Sequence, residues 1–61
     1  MPYVNIRVAG TLTREQKAKI AEEVTDSLHR HANKPKEAVM IMFDELSPEN
    51  IAKVGKLIDG K

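Results

Sequence analysis

Ala38-Val39-Met40-Ile41-Met42-Phe43 is the stretch that decides how this chain folds. The run is apolar throughout and is closed by Asp44-Glu45, so it is too short for a buried helix and lacks the alternation of a strand with one wet face. It predicts a strand over residues 38–43 that is covered on both faces, as strands of parallel sheets are. A parallel partner and a crossover must then lie upstream.

Both are present. Residues 3–8 alternate, with Val4, Ile6 and Val8 on one face and Tyr3, Asn5 and Arg7 on the other, which predicts a first strand. Ala9-Gly10-Thr11 breaks the alternation, and Thr13-Arg14-Glu15-Gln16 has the form of a capping box, with Thr13 as N-cap and Gln16 at the third helical position. Ile20, Ala21, Val24, Leu28 and Ala32 recur at helical spacing, while Glu15, Lys19, Glu22, Glu23, Asp26 and Arg30 take the wet side. Asn33-Lys34-Pro35 ends the helix, because Asn accepts a left-handed cap and Pro disfavours helical geometry in the residue before it. Strand, long helix and strand make a parallel crossover, which is right-handed by rule.

Downstream, Ser47-Pro48-Glu49-Asn50 is a helix start, with Ser47 as N-cap and Pro48 at the first position. Ile51, Val54 and Leu57 or Ile58 would extend it, but Gly55 interrupts, so a short helical turn and a partly extended arm that packs on a neighbour are expected. The fold class is α+β: one domain over residues 1–61, a βαβ protomer with a two-stranded parallel sheet, one long helix and a short C-terminal turn and arm.

Such a protomer has a stability problem. A chain of this size buries only about 60% of its unfolded surface, and the entropy of ordering leaves its stability near zero unless a disulfide, a metal or a partner contributes. Cysteine is absent, and two histidines without cysteine do not make a closed zinc site. One helix covers one face of a two-stranded sheet, and two strands alone are marginal. A homo-oligomer is the expected solution.

Composition narrows the function classes. Hydrophobic residues are 41% and charged residues 31% of the chain, the balance of a soluble globular protein. No apolar run approaches the ~20 residues of a membrane span, and the N-terminus has no secretory signal pattern, so the cytoplasm is the expected location. A net charge of +1, with Tyr3 and Phe43 as the aromatics, argues against a nucleic-acid module.

The chemistry-bearing candidate is Pro2. Removal of Met1 would leave a secondary amine at the start of a strand, and apolar surroundings that disfavour its protonated form would make it a general base near neutral pH. Met-Pro is also a common opening and Pro is tolerated at a strand's first position, so Pro2 by itself would be structural.

Taken together, Met1-Pro2 opening a strand, the Gly10 turn, Glu15-Gln16-Lys17 at the helix entry, Glu23-Val24, Pro35 ahead of a second apolar strand ending in Glu45, Pro48-Glu49-Asn50 and Gly55-Lys56-Leu57 resemble the 4-oxalocrotonate tautomerase family, in its short-chain branch. The resemblance covers essentially the whole chain. It implies a cofactor-free enzyme, a hexamer built as a trimer of dimers, in which Pro2 is the catalytic base and acid that moves a proton between carbons of an enol, dienol or 2-keto acid type substrate. It also implies a substrate pocket containing Leu12, Ala38, Met40 and Ile51, with Ala9 and Met42 beside them.

The departures from the family pattern concern the substrate. Members that act on dicarboxylates carry arginines at the positions of Leu12 and Met40, and neither residue here binds a carboxylate. An anionic substrate would need another cation, such as Arg7, Lys36 or Lys53 of a neighbouring protomer. Ile51 stands where the family has an aromatic, and its glycine-rich hairpin is thinned to Gly55 after Val54. A tautomerase for a less anionic small molecule is therefore the expected function. The alternative is an oligomer of the family with altered or lost activity that serves as a structural or binding scaffold. Met1-Pro2 favours the first and the missing arginines the second.

The remaining polar residues have structural roles. His29 and His31 are two apart on a helix, diverge, and belong to surface or interface packing rather than to a metal site. Asp44 and Glu45 point to opposite faces and end the strand at the solvent. Met1, Met40 and Met42 fill apolar space, Lys53 and Lys56 form a solvated face, and Tyr3 packs in an interface.

Overall fold

A computed structural model describes residues 1–60 of the chain. Its main body is β1 (Tyr3–Ala9), α1 (Arg14–Ala32), a 3-10 turn (Lys36–Ala38) and β2 (Met40–Leu46); a second 3-10 turn (Pro48–Asn50) leads to β3 (Ala52–Lys53) and β4 (Lys56–Leu57). β1 and β2 pair in parallel, from Tyr3 opposite Met40 to Ala9 opposite Leu46. Helix α1 is the crossover between them.

The helix begins and ends as its sequence dictates. Thr13 is extended and its hydroxyl accepts the Gln16 N–H at 3.1 Å, while the Gln16 side chain accepts the Thr13 N–H at 2.9 Å. At the other end Asn33 takes the left-handed conformation at φ 56° and ψ 37°. Val4, Ile6 and Val8 of β1, Ile41 and Phe43 of β2, and Ile20, Ala21, Val24 and Leu28 of α1 are all half-buried, which sets the helix against one face of the sheet. No helix among the described residues is long and apolar enough to cross a membrane.

The opposite face is open. Tyr3, Met40 and Met42 are 64%, 54% and 40% exposed there, and no described side chain is fully buried. The radius of gyration is 14.7 Å, against about 10.5 Å for a compact chain of this length. A protomer with half a core and an extended shape is stable only when another surface covers it, so the second face expected to be buried on β2 is buried by association or not at all.

Two expectations change. The second strand begins at Met40 and runs to Leu46, while Ala38 sits in the 3-10 turn before it. The lone proline bias and the short apolar run did not reveal that turn, whose Ala38 N–H donates to the Pro35 carbonyl at 3.0 Å. The C-terminal arm is extended, as expected, but folds back on itself: β3 and β4 pair antiparallel around Val54-Gly55, at φ 52° and 75°. Two successive left-handed residues make the tight turn that matches strand twist. Ser47 precedes the 3-10 turn and its carbonyl accepts the Asn50 N–H at 2.8 Å, but its side chain makes no capping hydrogen bond.

Candidate functional site

Pro2 is half-buried immediately ahead of β1, and its carbonyl accepts the Met40 N–H at 3.0 Å. That bond extends the ladder by one step and fixes the proline against the first residue of β2. Met1 projects away, 81% exposed, and the Tyr3 hydroxyl donates to its Sδ at 3.3 Å. Ala38, half-buried in the turn before β2, lies at this same end of the sheet, and Met40 and Met42 follow along the open face.

Leu12 and Ile51 lie at the other end. Leu12 follows the C-terminal end of β1 and Ile51 follows that of β2, both half-buried. Strands of seven residues span about 20 Å at the usual rise, so one protomer brings Pro2, Ala38 and Met40 together and keeps Leu12, Ala9 and Ile51 apart from them. The two groups can meet only between protomers.

The cations proposed as carboxylate partners are differently placed. Arg7 Nε donates to Asp44 Oδ2 at 3.3 Å on the open face, and Asn5 Nδ2 donates to the same oxygen at 3.2 Å. Lys36 is paired with Asp26 at 2.9 Å. The Lys36 hydrogen bond and charge hold the Asp26 carboxyl below its usual range, against the opposing pull of burial. Lys53 lies exposed on β3.

His29 Nδ1 is 3.0 Å from the Lys34 carbonyl, which can only accept, so the ring donates there and closes the helix end. His31 is exposed in the same last turn and takes no part in this contact.

Glu45 corrects an expectation. It does not end the strand at the solvent: its Oε2 accepts the Leu12 N–H at 2.9 Å and its Oε1 is bound by the Lys17 ammonium. The Lys17 and Glu45 side chains are 33% and 24% exposed. The Lys17 hydrogen bond, then the Leu12 N–H, hold the Glu45 carboxyl below its ordinary value despite partial desolvation. The sequence carried the face of each residue but not the partnership. Strand alternation puts Glu45 on the face of Ile41 and Phe43, and Lys17 sits one turn before Ile20 and Ala21 on the apolar stripe, so both charges lie on the surfaces that strand and helix turn toward each other. Asp44 does point to the other face, as alternation requires.

Two open hollows mark the protomer's surface. One of about 350 Å³ is lined by Arg14, Lys17, Ala18, Ala21 and Phe43, and one of about 450 Å³ by Ser47, Pro48, Glu49, Ile58 and Asp59. Pro2 lines neither.

Comparison with known proteins supplies the family context. A family model described as tautomerase enzyme matches residues 2–60. A probable tautomerase of Lactococcus lactis is 42% identical over 55 residues, covering 90% of this chain and 88% of the relative. A 2-hydroxymuconate tautomerase of Bacillus subtilis is 29% identical over 56 residues, covering 92% and 90%. Among solved structures, YwhB, a homologue of 4-oxalocrotonate tautomerase, superposes with a TM-score of 0.90 at 25% identity, covering 98% of each chain.

Proposed function

Since the chain belongs to the tautomerase family, we propose that it is a cofactor-independent tautomerase whose Pro2, freed by removal of Met1, is the general base and acid. The observation that carries this reading is the placement of Pro2: it is half-buried directly ahead of β1 and pinned through its carbonyl to the N–H of the apolar residue Met40. Apolar surroundings disfavour the ammonium form and leave free amine near neutral pH. The amine takes the hydroxyl proton of a 2-enol or 2-hydroxydienoate, the carbon–oxygen double bond forms, the carbon–carbon double bond shifts, and the resulting ammonium returns the proton to carbon. Atoms and charge balance without a co-reactant.

Because Leu12 and Ile51 lie a strand's length from Pro2, the working pocket is composite: Pro2, Ala38 and Met40 of one protomer meet Leu12 and Ile51 of neighbours. A hexamer provides such junctions and covers the open face bearing Tyr3, Met40 and Met42. An apolar pocket wall with Leu12 and Met40 in place of cations selects substrates with one carboxylate over dicarboxylates, which need a second charge-assisted hydrogen bond.

The test is steady-state tautomerisation of phenylenolpyruvate and simple 2-hydroxydienoates, with intact mass measured on the same sample to establish that Met1 is gone. Pro2→Ala should lower kcat/KM by roughly a hundredfold, the size of a positioned acid–base group, and Met40→Arg should raise turnover of a dicarboxylate analogue. Processed protein inactive across this panel, or Pro2→Ala with unchanged rate and pH profile, overturns the assignment and leaves the scaffold alternative.

A further inference from the structure

The loop between β1 and α1, residues 10–13, carries Leu12, and its backbone is tied down at three points. Gly10 N–H donates to the Leu46 carbonyl at 2.7 Å, Leu12 N–H to Glu45 Oε2 at 2.9 Å, and Thr13 N–H to Gln16 Oε1 at 2.9 Å. The first bond prolongs the sheet and the third belongs to the helix cap. The middle one is different, because its acceptor is a side chain whose second oxygen is bound by Lys17 from the early part of α1. One carboxylate thus joins strand, loop and helix.

We propose that Glu45, with Lys17 as its counter-charge, is a positioning residue for substrate recognition: it fixes the backbone of Leu12 and so sets where the Leu12 side chain stands in the pocket. This rests on the tautomerase reading above. An arginine in such a loop would be drawn into place by a substrate carboxylate. Leu12 has no such guide, and the dispersion contacts of a leucine fall off within a fraction of an ångström, so its wall position has to be set from the protein side. An exposed ion pair contributes little, but here both side chains are mostly covered and the carboxylate also accepts a backbone N–H, a charge-assisted bond of the stronger kind. Glu45 touches no substrate in this arrangement and acts through Leu12.

The experiment uses the full-length, processed oligomer of the natural sequence and of Glu45→Ala, Glu45→Gln and Lys17→Met, with phenylenolpyruvate kinetics and hydrogen exchange of the Leu12 amide. Loss of one charge-assisted hydrogen bond corresponds to about tenfold, so Glu45→Ala should raise KM about tenfold, change kcat less than about twofold, and leave the pH at which Pro2 titrates in place. Glu45→Gln keeps an oxygen for the Leu12 N–H and should recover most of the lost affinity. Exchange at Leu12 should quicken about tenfold in Glu45→Ala and much less in Glu45→Gln. KM in Glu45→Ala within about twofold of the natural protein, or Gln as damaging as Ala in both readouts, overturns the proposal. If Glu45→Ala fails to assemble, Lys17→Met decides: raised KM with faster Leu12 exchange supports positioning, and no change in either refutes it. Should the natural protein show no tautomerisation, the proposed function falls, and the anchor is judged on Leu12 exchange alone, with equal rates in the natural, Glu45→Ala and Lys17→Met proteins counting against it.

Discussion

The two faces of the β1–β2 sheet are made by the same alternating strands yet end in opposite conditions. Under α1, Val4, Ile6, Val8, Ile41 and Phe43 are half-buried and the charge on that face, Glu45, is answered by Lys17 and the Leu12 N–H. On the far face Tyr3, Met40 and Met42 stand more than a third exposed, and the ion pair there, Arg7 with Asp44, is largely in solvent. The helix-covered face is half-buried within the chain, and the open face is apolar at the Pro2 end and polar at the other. A second protomer must supply what the helix supplies on the first face, and the apolar half is where burial yields most.

Breaking the open face should have the largest effect. Tyr3→Glu or Met42→Glu places a charge where association would bury it unpaired, at a cost of several kcal/mol; sedimentation should show dissociation towards the 6.8 kDa chain. Both variants keeping the natural protein's assembly would show that face to be free surface. On the covered face, Phe43→Ala removes a partly buried ring and should lower stability by about 2 kcal/mol, less than the ~3–5 of a fully buried one, read as an earlier denaturant midpoint.

Acid should undo the covered face's charge lock only as pH falls below the range in which ordinary carboxylates titrate. Glu45 and Asp26 both titrate below their ordinary values in the folded chain. Protonation is therefore disfavoured in the native state, and their stabilising contributions are full above the ordinary carboxylate pKa of about 4 and vanish as pH falls through the depressed folded values. Thermal midpoints should fall with pH in that window for the natural protein and more shallowly for Glu45→Gln.

The smaller effects sit outside the sheet. Thr13→Ala removes one half of the capping box and should cost about 1 kcal/mol. Val54, 92% exposed and held at φ 52°, is a β-branched residue in a conformation such residues avoid; Val54→Gly should raise the denaturant midpoint by the equivalent of about 0.5 kcal/mol if the hairpin tip is free in the assembly. A loss on Val54→Gly would instead identify Val54 as a contact that offsets its strain.

Local chemistry was legible in the residues themselves. The β1 alternation, the Thr13–Gln16 box and the Asn33 cap need only their own neighbours in sequence, because strand period and capping hydrogen bonds close within a few residues. The family resemblance was also legible, since it resides in the order of Pro2, Gly10, Gln16, Lys17, Glu45 and Pro48. Partnerships between distant residues were not. Glu45 looked like a strand end because Lys17 and Leu12 are far from it in sequence, and only the parallel register, with Val8 beside Glu45, brings them together. Ala38 left the strand for a 3-10 turn, and the arm folded into a hairpin, because backbone hydrogen bonds to Pro35 and between Ile58 and Ile51 satisfied those segments better than the patterns of single residues foretell. The separation of Pro2 from Leu12 and Ile51 belongs to the tertiary structure alone. A list of pocket residues carries no distances, whereas two parallel strands put the start of one and the end of the other at opposite ends of the sheet, and that is the physical reason the pocket we propose draws its two halves from different copies of the chain.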